Sequence, residues 1–225
     1  MNGKREVNQI IRQKISVTMR ERSIDNFSGY RTEMYAKRPD SYFSLPESAQ
    51  LAEMIGVVLG DGYIGAHERT EVLRIACNYN NPGFIERYSQ LVEQLFDKQP
   101  SVKKRKTNNC VDIVIYQKGI AERLGLETGA KTHRPYILPD WIKDNPEYQL
   151  KFLRGLFETD GCHATHLPTY TYKFIFSNIN ESLLEIVFVL LCGFGFHPTR
   201  TEKNIQLSRK LEVEKAVRLI QFRHY

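Results

Sequence analysis

The 225-residue sequence predicts an α+β protein: two pseudo-twofold related αββαββα repeats packed through a pair of apolar helices, each with its own antiparallel sheet. Two observations carry this. Met54 to Gly62 (MIGVVLGDG) and Leu153 to Gly161 (LRGLFETDG) match at an offset of 99, and the same offset pairs Asn81 with Asn180, Phe84 with Leu183, Ile85 with Leu184, Glu86 with Glu185 and Leu91 with Leu190. The order of helical and alternating periodicities is also the same in both halves. Further on the offset falls to 92, pairing Ile113 with Ile205, Ile115 with Leu207 and Lys118 with Lys210.

In chain order, residues 1–47 form an arm and connector, 48–132 the first repeat, 133–147 a linker and 148–225 the second repeat. In the arm, Val7, Ile10, Ile11, Ile15 and Met19 recur at helical spacing, with Arg5, Arg12, Lys14, Arg20 and Arg22 mostly on other faces. Such a basic amphipathic helix suits nucleic acid, a membrane surface, or docking of its stripe on the body with its cations outward; the last is the favoured reading. Ser28-Gly29, Arg38-Pro39-Asp40 and Leu45-Pro46 mark an irregular connector. The second repeat predicts helices near 148–160, 180–192 and 210–221 and strands near 162–168, 170–178, 196–201 and 203–209. Tyr170, Tyr172, Phe174 and Phe176 alternate with Thr171, Lys173, Ile175 and Ser177, as in a half-buried antiparallel strand. Their first-repeat partners divide likewise, with Leu73, Ile75 and Cys77 inward and Arg74, Ala76 and Asn78 outward. The two-proline segment from His133 to Trp141 reads as the linker, anchored by the tryptophan.

Composition narrows the function. The formal charge is +6, of which residues 1–38 hold +5. Lys103, Lys104, Arg105 and Lys106 form a second cationic run in an expected loop, which suits either a polyanion or plain solvation. The longest apolar run, Ile186 to Phe196, falls short of the roughly 20 residues that cross a bilayer, so no membrane partner is expected. No apolar stretch or cleavage site follows Lys4 and Arg5, so the chain is expected to be intracellular and not secreted. Cys77, Cys110, Cys162 and Cys192 lie far apart and read as reduced core residues. Cys162, His163 and His166 lack a fourth partner for zinc and read as surface residues or contacts to nucleic acid. Gly193-Phe194-Gly195 follows a helix and reads as its stop.

The chemistry is expected at the two Asp-Gly helices. Gly56 and Gly60 share a helix face, and glycine inside a helix costs about 0.5–1 kcal/mol relative to alanine. A close helix crossing supplies the reason, with Gly155 and Thr159 as the small residues of the second copy. Asp61 and Asp160 then emerge together at one end of the crossing. A carboxylate there opposes the helix dipole and repels its twin, unless a cation such as Mg2+ lies between them, keeping waters and phosphate oxygens as further ligands.

MIGVVLGDG and LRGLFETDG resemble the two LAGLIDADG motifs of single-chain, double-motif homing endonucleases, over about residues 48–222. The resemblance implies sheets lying in the major groove of double-stranded DNA with a long asymmetric target, and a monomer that cuts both strands with divalent metal to leave 3′ overhangs. It implies Asp61 and Asp160 as metal ligands, carbonyls from Gly60 and Thr159, and Asn78 and Ser177 ordering water. Mg2+ is the implied ion, with Mn2+ able to substitute. Leu59 departs from an acidic motif position that Glu158 keeps. Implied DNA contacts are Arg74, Lys103, Lys104, Arg105, Lys106, Lys118, Thr171, Lys173, Arg200, Lys203, Gln206 and Ser208. Lys118 and Lys210 are paired by the repeat as basic residues, at strand ends far along from the acids. Rival readings are an intron maturase or a DNA- or RNA-binding regulator without cleavage, and an intein's nuclease domain. Met1 and the lack of splicing sequence at either end weigh against the intein.

Overall fold

The computed structural model describes Ser44 to Tyr225 apart from Thr107, together with Lys14, Val17 to Met19, Glu21 and Arg22. Two units separate, Met1–Asp40 and Ser41–Tyr225. In the first, Lys14, Val17 to Met19 and Glu21 are helical, and the Arg22 N–H donates to the Thr18 carbonyl at 3.1 Å. The apolar stripe expected at Val7, Ile10, Ile11 and Ile15 lies outside the described residues, as do Ser28-Gly29 and Arg38-Pro39-Asp40.

In the second unit, the first repeat runs α1 (Ala49–Gly60), β1 (Gly62–Ala66), β2 (Glu71–Asn78), α2 (Pro82–Phe96), β3 (Ser101–Lys104), β4 (Cys110–Gln117) and α3 (Ile120–Leu124). A short helix, α4 (Asp140–Lys143), then leads into the second: α5 (Pro146–Asp160), β5 (Gly161–His166), β6 (Thr171–Ser177), α6 (Glu181–Gly193), β7 (Thr199–Arg200), β8 (Asn204–Leu207) and α7 (Lys210–Ile220). The sheets are antiparallel with matching orders, β1-β2-β4-β3 and β5-β6-β8-β7. The fold is therefore α+β with two αββαββα repeats.

Repeat-paired residues earn their places locally. Asn81 and Asn180 cap α2 and α6, each side-chain oxygen accepting a backbone N–H of the first turn. Ser48 caps α1 likewise, and Asn145 with Pro146 starts α5. From Leu51 to Leu59 α1 is buried on every side, as expected of a central helix that is apolar all round. It packs against α5 through glycine. A Cβ on Gly56 would lie 3.1 Å from the Gly155 Cα and closer still to the Phe152 carbonyl, while one on Gly155 would overlap the Glu53 carbonyl. The backbones touch where the side chains are missing.

Each sheet lays its inward residues on this helix pair. Leu73 and Ile75 are buried beneath the first, and Phe174 and Phe176 beneath the second, where the Phe157 ring of α5 stacks on Phe174 with centroids 4.3 Å apart. Glu53 of α1 holds Arg87 of α2 through two hydrogen bonds of 2.8 and 2.7 Å and, across the seam, lies 3.5 Å from Arg154 Nε of α5. Glu158 is used structurally, accepting the Tyr225 hydroxyl and the Arg223 N–H, both at 2.5 Å.

Four sequence expectations are corrected. Lys103 and Lys104 lie in strand β3 and only Arg105 and Lys106 in the turn, because β3 is an exposed edge strand whose backbone pairs with β4 whatever its side chains are. Tyr170 sits in the turn before β6 at φ 47° and is 83% exposed, so it is no inward residue. Cys162 and Cys192 are exposed, and only Cys77 is buried. The second repeat's first helix begins at Pro146, two residues inside the expected linker, since Asn145 caps it. Trp141 packs edge-on against Tyr148 at 5.6 Å.

Candidate active site at the helix seam

The carboxylates are placed by the ends of α1 and α5. Asp61 is the residue after α1, its N–H donating to the Val57 carbonyl, and Asp160 is the last residue of α5. A Cβ on Gly60 would run into the Thr159 side chain, so the two helix ends meet directly beside both acids. Thr159 turns its hydroxyl back to the Leu156 carbonyl at 2.8 Å. Burial raises the Asp61 carboxyl above its usual range although part of it stays exposed, and Lys131 opposes the rise. Asp160 is pushed up to about 6, chiefly by burial and further by the charge of Asp61, against the pull of Asn178 and Lys131. A half-buried Asp160 that feels the charge of the neighbouring Asp61 calls for a cation.

Part of that demand is met by a residue the sequence did not reveal. Lys131 Nζ donates to the Val58 carbonyl at 2.5 Å, the Gly62 carbonyl at 2.7 Å and the Gly60 carbonyl, so its three protons cap the end of α1. Burial lowers its pKa to about 8, with Asp160 and Asp61 holding it up. Its backbone is fixed in turn: buried Asn180 donates to the Lys131 carbonyl at 3.1 Å and the Arg134 carbonyl at 2.8 Å. A second missed residue is Asn178, whose side-chain amide donates to Asp160 Oδ2 at 2.7 Å. Asn178 lies one residue beyond β6, where strand alternation no longer says which way a side chain points. A cavity of about 550 Å³ opens beside these groups, lined by Lys131, Arg134, Tyr136, Asp160 and Asn178 among others.

The implied metal fits this set in part. Asp61 and Asp160 offer oxygen ligands, and Thr159 has its carbonyl beside Asp160. Gly60, the matching carbonyl donor, accepts Lys131 with its oxygen, which has a second lone pair left for an ion. Two carboxylates are enough for Mg2+, which keeps several waters. Among the described residues no three His, Cys, Asp or Glu cluster as a metal site.

The other named residues divide. Asn78 and Ser177 end β2 and β6; Asn78 accepts from the Asn80 N–H at 2.9 Å and Ser177 donates to Asn204 at 2.6 Å, so neither touches a seam acid in these contacts. Arg74, Thr171, Lys173 and Gln206 belong to the outward faces of the two sheets. Ser208 follows β8 and accepts from Gln206 at 2.6 Å. Arg105 is held by Asp112 at 2.9 and 2.6 Å, and Arg200 by Glu181 and Glu185, so both are neutralised within the chain. Lys104 lies over the Tyr79 ring at 3.7 Å, while Lys103, Lys106 and Lys203 are exposed. Lys118 follows the end of β4 that pairs with Glu71, away from the seam. Lys210 starts α7 with its ammonium 5.3 Å from the Tyr172 ring.

Fold and seam together define a LAGLIDADG-type architecture with two motif repeats in one chain. Residues 147–223 match the model of the LAGLIDADG-like domain. A structure of mesophilic variants of the homing endonuclease I-DmoI shares the fold at TM-score 0.53 and 17% identity, covering 76% of this chain and 94% of that one. I-DmoI is also known in complex with DNA and Mn. Full-length DUF199/WhiA from Thermatoga maritima matches at TM-score 0.56 and 16% identity, over 77% of this chain and 55% of that one. Among curated proteins, the tRNA-splicing ligase RtcB of Methanopyrus kandleri is 28% identical over 192 residues, 72% of this chain and 19% of that protein. The iron-sulfur cluster assembly SufBD family protein ML0593 of Mycobacterium leprae is 30% identical over 162 residues, 70% of this chain and 17% of that protein. The chain spans about a fifth of the length of the curated relatives it matches. No described helix is long and apolar enough to cross a membrane.

Proposed function

We propose that this chain is a monomeric, site-specific double-strand DNA endonuclease dependent on a divalent metal. The observation that carries the reading is the pair of carboxylates with raised pKa, Asp61 and Asp160, brought to one end of a glycine seam where they oppose both helix dipoles. Such an arrangement weakens an apo protein and is of use to one that binds a metal on a phosphate. I-DmoI, which shares the fold, supports DNA and a divalent ion as the ligands.

A bound Mg2+ or Mn2+ supplies Lewis acidity toward the scissile phosphate and eases deprotonation of an attacking water. Asp61 and Asp160 would hold the ion, one carboxylate coming from each repeat. Asn178 fixes the Asp160 carboxylate by its 2.7 Å hydrogen bond. Lys131, its protons held by the carbonyls of Val58, Gly60 and Gly62, adds positive potential that both acids feel. The two sheets present different side chains outward and read an asymmetric site, and the ends left are short 3′ overhangs. Arm cations add sequence-independent phosphate contacts. Stretches making up 19% of a tRNA-splicing ligase and 17% of an iron-sulfur cluster assembly family protein are similar to this chain, in keeping with an element carried by different host proteins, and its action on DNA is placed inside the cell.

Likeness to WhiA as well as to I-DmoI means that the fold by itself does not select cleavage over binding. The test is digestion of a randomised duplex library with Mg2+ or Mn2+. Double-strand cuts at a defined sequence, lost in Asp160→Asn, support the nuclease; selective binding without cuts in either metal supports a maturase or regulator.

A further inference from the structure

The outward face of the second sheet holds a feature that no phosphate or metal chemistry uses. Its central row crosses the sheet as Cys162, Ile175, Gln206 and Thr199, and the next row pairs Ala164 with Lys173. Cys162 and Ala164 are exposed and Ile175 is half-exposed, and none of the three belongs to the apolar core. Ile175 is only partly covered, so apolar surface remains at the centre of the row for a partner to bury. The neighbours define its setting: Lys173 two residues before it on β6, Ser177 two after it, with Ser177 bonded to Asn204 at 2.6 Å. Gln206 turns its amide along its own strand to Ser208 at 2.6 Å and so leaves the row's apolar centre open. By repeat offset Tyr63 stands on the first sheet where Cys162 stands here, and the row it opens runs Tyr63, Arg74, Val114 and Ser101, with a cation at the place that Ile175 takes in the second sheet.

In the major groove the base edges are hydrogen-bonding groups with one exception, the C5 methyl of thymine, which apolar side chains recognise. Resting on the reading of these sheets as DNA-binding, we propose that Cys162, Ala164 and Ile175 form a subsite for pyrimidine C5-methyl groups in the half-site read by the second sheet. Lys173 and the Ser177–Asn204 pair flank it as hydrogen-bonding contacts to adjacent bases. The subsite accepts thymine and 5-methylcytosine alike, because both carry the methyl at the same place in the groove.

The experiment starts from duplexes selected by binding from a randomised library in Ca2+, and scores affinity, so cleavage is not needed. Each selected site is remade with deoxyuridine for thymidine in one half at a time. In the half read by the second sheet, removing a contacted methyl weakens binding roughly fourfold, equivalent to about 0.8 kcal/mol; the other half changes less. Replacing a contacted uracil–adenine pair by 5-methylcytosine–guanine recovers more affinity than unmethylated cytosine–guanine does. Ile175→Ser removes every methyl of the side chain and leaves a hydroxyl, and brings the thymine-to-uracil ratio toward one. Equal affinity for thymine and uracil sites in both halves overturns the proposal and leaves the DNA reading intact. Failure to select any duplex overturns both.

Discussion

The two repeats are alike in backbone order and unlike at the seam. On the first side, the end of α1 is capped by Lys131, which occupies the carbonyls of Val58, Gly60 and Gly62. On the second side, Asp160 is held by a neutral amide from Asn178. The repeat offset puts Tyr79 in the place of Asn178, and Tyr79 lies under Lys104 on the sheet instead. Duplication therefore built the symmetric frame, and single residues outside the repeat pattern made two unequal half-sites. The lesson is that the acids are equivalent in position and different in environment.

Removing Lys131 is the sharpest way to break the comparison. Lys131→Met keeps the length of the side chain but leaves three carbonyls without donors and two carboxylates without their cation, and should lower unfolding free energy by roughly 2–3 kcal/mol in urea denaturation. A variant as stable as the parent would show that the cap on α1 is dispensable. The shared frame is tested next. Gly56→Leu forces a branched side chain between touching backbones, where overpacking typically costs about 1–3 kcal/mol, seen as a fall in Tm of roughly 2–12 °C. On the second side, Asn178→Ala should reduce cleavage by roughly 10–100-fold, the range for residues that orient a metal ligand, whereas Ser177→Ala should change it only a few-fold. The reverse order would restore Ser177 as the residue that matters. The smallest effect concerns thiols. Burial pushes Cys77 up to about 12, so it stays protonated at pH 8, and alkylation of the native protein should label Cys162 and Cys192 while sparing Cys77.

Much of this was legible because it repeats. Asn81 and Asn180 recur as helix caps, Gly56 and Gly155 as the crossing, Asp61 and Asp160 as the seam acids, and each pair has a local reason that a sequence pattern can carry. Lys131 was not legible, since its partners are backbone carbonyls, which leave no trace in side-chain identity, and it stands in the connection between repeats with no twin. Asn178 was missed because the rule of alternation ends with the strand. The lysines of β3 looked like loop because charge is usually depleted from strands, a preference that an exposed edge escapes.

The claim at the centre is that Asp61 and Asp160 serve one composite centre. It is tested most directly by cleavage rates of Asp61→Asn, Asp160→Asn and the double variant on one target in Mg2+, with DNA affinity measured alongside in Ca2+. Groups that act as a unit are strongly non-additive. Each single change should lower the rate by a hundredfold or more, the double variant should be little slower than either single one, and affinity should stay near that of the parent. Losses that multiply in the double variant, or a single variant that cleaves at the parent's rate, would contradict it.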